Sequence, residues 1–69
     1  MPEALANRLK DKRTALGWTQ AELAERVGVT RKTVNTVENG VFVPSALLAL
    51  KLARALGEPV EGLFRLSEG

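Results

Sequence analysis

The chain has 69 residues, 45 % of them apolar and 26 % charged, the balance of a single small domain spanning 1–69 rather than of a disordered tail. It holds no cysteine and no histidine, which excludes disulfides, thiolate chemistry, the usual zinc sites and the commonest general base. A fold this short buries only about 60 % of the surface its unfolded chain exposes, so without staples it must pack efficiently or gain stability from a partner chain.

The net charge is +2, and all of the excess lies early: residues 1–40 carry seven basic and five acidic side chains, residues 41–69 three of each. So weak a basic balance is compatible with nucleic-acid binding but equally ordinary for a protein that binds none. The longest apolar run, Ala46 to Leu50, is far too short to span a bilayer. No basic segment leads into an apolar one at the start of the chain, so a soluble, cytoplasmic protein without membrane association is expected.

In chain order, Gly17, Gly28, Gly40 and Gly57 each follow an apolar-periodic stretch where a helix needs a left-handed stop. The spacing predicts helices near 3–16, 20–27, 31–39, 45–56 and 59–64. Thr19-Gln20-Ala21-Glu22 reads as a capping box, with Trp18 before it placed to staple onto Leu23. Thr30 caps the third segment, Ser45 after Pro44 the fourth, and Glu58-Pro59 opens the fifth. Leu5, Leu9 and Leu16 share a face of the first helix, Leu23, Ala24 and Val27 of the second, Val34 and Val37 of the third, and Leu48, Leu52, Ala53 and Leu56 of the fourth. These stripes are read as core. Alternating apolar character is scarce, so an all-α fold is expected, with at most a short extended segment at Leu66.

One residue breaks the pattern. Continuing the stripe of Leu5 and Leu9 by four places reaches Arg13, while Glu38 sits four places after Val34 on the inner face of the third helix. A half-buried Arg needs a carboxylate to offset its desolvation, so the two are expected to pair. The alternative is that Arg13 extends its head to water.

The stretch from Gln20 to Val37 carries the strongest signal: two short helices joined by Gly28-Val29 and capped by Thr30 must meet at a steep angle. Small Ala24 permits close approach, and Leu23, Val27, Val29, Val34 and Val37 fill the angle. With Val37-Glu38-Asn39-Gly40, Pro44-Ser45 and Leu52-Ala53-Arg54-Ala55-Leu56-Gly57, this pattern resembles the phage repressor and Cro-like helix-turn-helix family over about residues 5–66. The resemblance implies a compact five-helix, lambda-repressor-like DNA-binding domain. Its helix-turn-helix falls at about 20–39, its last two helices at about 45–64, and its third helix reads DNA. It also supports the Arg13–Glu38 pair.

Read on its own, the third helix turns Val34, Val37 and Glu38 inward and Lys32, Thr36 and Asn39 outward, with Thr33 and Asn35 at the flanks. The outward face is polar and carries no acid, and its residue types suit base edges in a major groove. By resemblance, Arg31, Lys32, Thr33 and Thr36 contact bases, with Asn35 a further candidate. Phosphate contacts are expected at the start of the second helix, from Thr19 and Gln20, where free N–H groups favour an anion. Resemblance adds Asn39. Arg8, Lys12 and Arg26 are weaker phosphate candidates, read first as solvated charges and left out of the expected site. Two positions depart from the family pattern. Val41-Phe42-Val43 stands where a basic residue commonly follows Asn-Gly, and is read either as packing inward through Phe42 or as part of a partner surface. Gly62 weakens the fifth helix.

The family binds double-stranded DNA as two-fold dimers reading half-sites roughly 34 Å apart, so the resemblance implies a homodimer on a palindromic operator. Val60, Leu63, Phe64 and Leu66 are the expected interface, unless Leu63 and Phe64 close the core and leave Val60 and Leu66. The five helices leave no room for a small-molecule effector domain. The expected function is therefore a small sequence-specific transcriptional regulator of the repressor kind, associated with the nucleoid. Two other readings remain: a DNA-binding antitoxin of a toxin pair, and a helical adaptor that binds protein. No cofactor or metal site is suggested, and the dispersed acids form no catalytic pair, so the chain is not read as an enzyme.

Overall fold

The computed structural model describes residues 3–68. Strand β1 (Glu3–Asn7) leads into helices α1 (Leu9–Ala15), α2 (Gln20–Val27), α3 (Arg31–Glu38), α4 (Ala46–Leu56) and α5 (Val60–Leu63), and strand β2 (Phe64–Glu68) closes the described chain. The five expected helices are present. The all-α expectation is corrected at both ends, where β1 and β2 pair antiparallel with Leu5 opposite Leu66 and Asn7 opposite Phe64.

The first helix therefore begins at Leu9 rather than near residue 3. Asn7 determines this start: its Oδ1 accepts from the Leu9 N–H at 3.1 Å, while its Nδ2 donates to the Val37 carbonyl at 2.9 Å. That arrangement supplies one helix end with an acceptor and ties β1 to the end of α3. The fifth helix likewise ends at Leu63, because the backbone turns extended at Phe64 to pair with β1.

The core is built from Leu9, Leu23, Ala24, Val27, Val34, Val37, Leu52, Ala53, Leu56, Leu63 and Phe64. Leu5, Trp18, Val29, Leu48 and Val60 pack partly against it. Leu16 is a correction: it terminates α1 and is half-exposed, because the chain leaves the helical face there. Leu63 and Phe64 are corrected as interface residues, since both are buried within the protomer. Leu66, two places beyond Phe64 on the same strand face, runs past the core and stays 68 % exposed. Phe42 does not pack inward fully; Val41, Phe42 and Val43 are all exposed. Among the described residues, no helix is long and apolar enough to cross a membrane.

Candidate nucleic-acid interface

Local chemistry fixes both helices of the α2–α3 unit. The Thr19 hydroxyl accepts from the Glu22 N–H at 3.0 Å, and the Glu22 carboxylate accepts from the Thr19 N–H at 2.9 Å. The Thr19 backbone N–H, and then its side chain, hold the Glu22 carboxyl below its ordinary value. Helix α2 stops at Gly28, whose φ of 75° is a conformation that costs a side-chain-bearing residue. Val29 donates back to the Ala24 carbonyl at 3.0 Å, and the Thr30 hydroxyl accepts from the Thr33 N–H at 3.2 Å. The turn therefore has no slack, and α3 starts in a fixed direction.

Beneath this unit lies a buried ionic hub. Arg13 donates from Nε to Glu38 Oε2 at 2.6 Å, from Nη2 to Glu38 Oε1 at 3.2 Å, and from Nη1 to the Trp18 carbonyl at 2.7 Å. The two side chains are only 9 % and 2 % exposed. Bidentate geometry and a third acceptor satisfy the guanidinium, as a buried charge requires. Thus the misfit residue on the first stripe does meet a carboxylate.

Glu38 is also the end of a donor chain that runs outward. Gln20 Nε2 donates to Glu38 Oε1 at 3.0 Å, Asn35 Nδ2 to Gln20 Oε1 at 3.4 Å, and Asn39 Nδ2 to Asn35 Oδ1 at 3.2 Å. Each donor polarises the next, so three surface amides are aligned by one buried carboxylate. Every amide in the chain keeps a second N–H free for another acceptor.

Of the residues expected at bases, Arg31, Lys32 and Asn35 are exposed. They surround a shallow concavity of about 360 Å³ together with Gln20. A second concavity, lined by Arg13, Thr19, Gln20, Ala21 and Arg31, adjoins the first through Gln20 and Arg31. Of the expected phosphate and base residues, Thr19, Gln20, Arg31, Lys32 and Asn35 thus line adjoining concavities, whereas Thr33, Thr36 and Asn39 line neither. Thr33 and Thr36 are less free: both are half-buried, the Thr33 hydroxyl lies 3.0 Å from that of Thr30, and Thr36 Oγ1 donates to the Thr33 carbonyl. Thr36 lies beneath the α3–α4 loop, whose Val41 and Phe42 N–H groups bond its carbonyl. Thr19 differs from expectation in one respect, since its N–H already donates to Glu22. The N–H groups of Gln20 and Ala21 meet no acceptor among the described residues and remain directed from the helix start.

Sequence reasoning missed three contacts elsewhere in the fold. Asn7 is one, hidden by the helical reading of its segment. Lys12 pairs with Glu58 at 2.9 Å, and Arg26 stacks over the Trp18 ring at 4.0 Å from its centroid. Neither is a freely solvated charge, and no local spacing signals partners so far apart in the chain.

The helix-turn-helix family profile matches residues 9–63. The chain belongs to this family. Its members resembling this helix-turn-helix chain include YgzD of Bacillus subtilis, described as an uncharacterised transcriptional regulator of that type, 45 % identical over 64 residues that cover 93 % of this chain and 97 % of the relative. Among solved structures, the restriction-modification controller protein C.AhdI from Aeromonas hydrophila superposes with a TM-score of 0.76 at 40 % identity, over 80 % of this chain and 83 % of its own. The biofilm regulator SinR, solved in complex with DNA, superposes with a TM-score of 0.73 at 29 % identity, over 78 % of this chain and 87 % of its own.

Proposed function

We propose that this chain, a DNA-binding transcriptional regulator of the helix-turn-helix type, reads a specific duplex sequence by laying α3 in the major groove. In this reading Arg31, Lys32 and Asn35 meet base edges, with Thr33 and Thr36 contributing methyl groups at the flank. The N–H groups of Gln20 and Ala21, with Gln20 and Asn39 side chains, take phosphates on either side and set the docking angle. Residues 1–69 act as one binding unit, two copies occupy a palindromic operator, and the outcome is repression by occupancy of the site. Such a protein works beside the chromosomal DNA in the cytoplasm and needs no cofactor.

The observation that carries the reading is the acid-free surface formed by Gln20, Arg31, Lys32 and Asn35, held in register by the Glu38 hub. Selection from random duplexes, followed by titration of the enriched sequence against scrambled DNA at two salt concentrations, tests it. Enrichment of a palindrome bound much more tightly than scrambled DNA is the expected result. Weak binding that disappears with salt and shows no sequence preference would refute it.

A further inference from the structure

No charged side chain lies between Glu38 and Lys51, and this uncharged segment presents most of the large apolar side chains that the fold leaves in water. Val41 is 77 % exposed, Phe42 46 %, Val43 68 %, Leu47 64 % and Leu50 59 %. Together these five residues expose on the order of 500 Å², most of it apolar, a large uncharged surface for so small a protein. The loop is not slack: the Val41 and Phe42 N–H groups bond the Thr36 carbonyl at 2.9 and 3.2 Å, and Ser45 caps α4 two residues beyond Val43. On α4, Leu47 and Leu50 are three places apart and so share the face opposite the buried Leu52, Ala53 and Leu56. The apolar groups are therefore held in a fixed arrangement before any partner arrives.

We infer that the Val41–Val43 loop and the Leu47–Leu50 face of α4 form the surface through which two copies of this chain pair, in place of the chain's C-terminal residues. The inference rests on the DNA-reading dimer proposed above and names its interface. A second copy is the occupant because the patch offers no charge with which to select a different partner, while an uncharged apolar face is complementary to itself across a two-fold axis. Doubling the patch gives roughly 1,000 Å² of buried surface, the lower limit for a specific, reversible interface. Placement agrees: the loop follows the C-terminal end of α3, so pairing there leaves both α3 N-termini, with Arg31 and Lys32, pointing outward and free for two separated half-sites. By contrast, Leu63 and Phe64 are committed to the core, and Leu66 stands without an exposed apolar neighbour on β2.

Sedimentation equilibrium of the full chain, from about 1 to 100 µM, tests the inference with Val43→Glu, Leu50→Glu and Leu66→Glu beside the wild type. The wild type is expected to dimerise, and each of the first two variants to raise the dissociation constant at least roughly 100-fold by opposing like charges across the axis. Leu66→Glu should leave the constant within about threefold, being outside the interface. Far-UV circular dichroism should be unchanged, as should melting at a concentration where the wild type is itself monomeric, since the substituted side chains are exposed within the protomer. On a duplex with a single half-site the variants should match the wild type, while on the palindrome they should lose affinity. Dimerisation of Val43→Glu and Leu50→Glu at wild-type strength overturns the inference, as does selective dissociation by Leu66→Glu or a wild type that stays monomeric. If no duplex is bound specifically, the DNA reading fails, and sedimentation still decides the interface.

Discussion

Replacing Glu38 by Gln removes one charge from a site where nothing else can supply it. The carboxylate is 2 % exposed and accepts from Arg13 twice and from Gln20 once. A Gln amide retains one acceptor oxygen and points its NH₂ at donors, so the Arg13 guanidinium is left buried without its counter-charge. Breaking a buried pair from one side costs about 3–5 kcal/mol. At about 0.05–0.15 kcal/mol per residue, a domain of this length has roughly 3–10 kcal/mol in all. The substitution should therefore remove at least roughly 30 % of the stability and lower the melting temperature by roughly 12 °C or more. Urea unfolding followed by circular dichroism measures it directly, with the midpoint shifting and the slope retained. A loss under about 1 kcal/mol would refute the reasoning, because it would mean that Arg13 reaches water once its partner is gone. The double substitution Arg13→Met with Glu38→Leu removes both charges and should recover most of the stability lost in Glu38→Gln.

Three further outcomes follow from the same geometry. Lys32→Ala, at the rim of the α3 concavity, should weaken operator binding by about 1–3 kcal/mol and scrambled-DNA binding far less; equal losses in a gel-shift titration would make Lys32 a phosphate contact. Gly28→Ala places a side chain at φ 75° and should cost about 1–2 kcal/mol in urea unfolding although the added carbon meets nothing within 4 Å; an unchanged midpoint would show that the turn relaxes. The Glu22 carboxyl is lowered from 4.5 by its capping bonds, so its contribution is present above the unfolded value and lost as pH falls through the folded one. The stability gap between wild type and Glu22→Ala should accordingly be full at pH 7 and narrow below about pH 4.5, and a gap constant down to pH 2 would contradict the linkage.

How far the sequence could be read depends on the distance over which each feature is determined. The bounds of α2, α3 and α4 were legible because Thr19, Thr30 and Ser45 each cap within three residues, and Gly28 and Gly57 adopt the left-handed stop their positions required. Strand β1 was not legible. The four-residue spacing of Leu5 and Leu9 reads as a helical stripe, yet Leu5 belongs to a strand whose partner Leu66 lies at the other end of the chain. Local periodicity carries no information about such a pairing. Leu63 and Phe64 were open for the same reason: whether a terminal apolar residue is core or interface depends on where β1 places the chain end. At the site, Arg13 and Glu38 were visible as charges on apolar stripes, which is a local signal. The Gln20–Asn35 bridge was not, because it depends on the crossing of α2 and α3 and on which way two amides turn.

The hub has a property that stability alone does not explain. Burying a charged pair is at best neutral against a well-packed apolar pair of the same volume, so the core gains nothing from Arg13 and Glu38 that two aliphatic residues would not supply. What aliphatic residues lack is a directed acceptor. Glu38 Oε1 fixes the orientation of Gln20, Gln20 fixes Asn35, and Asn35 fixes Asn39, so the carboxylate sets which way three surface amides face. A flexible amide must lose rotamer freedom when it binds, at about 0.5–1.5 kcal/mol for each immobilised side chain; amides already held in line have lost it during folding. The doubly apolar variant at positions 13 and 38 separates the two roles, because it preserves packing while removing the directed acceptor, together with the Arg13 bond to the Trp18 carbonyl that lies away from the amide chain. Near wild-type stability with weakened operator binding is the outcome that follows from an orienting hub, whereas unchanged binding would reduce the hub to packing.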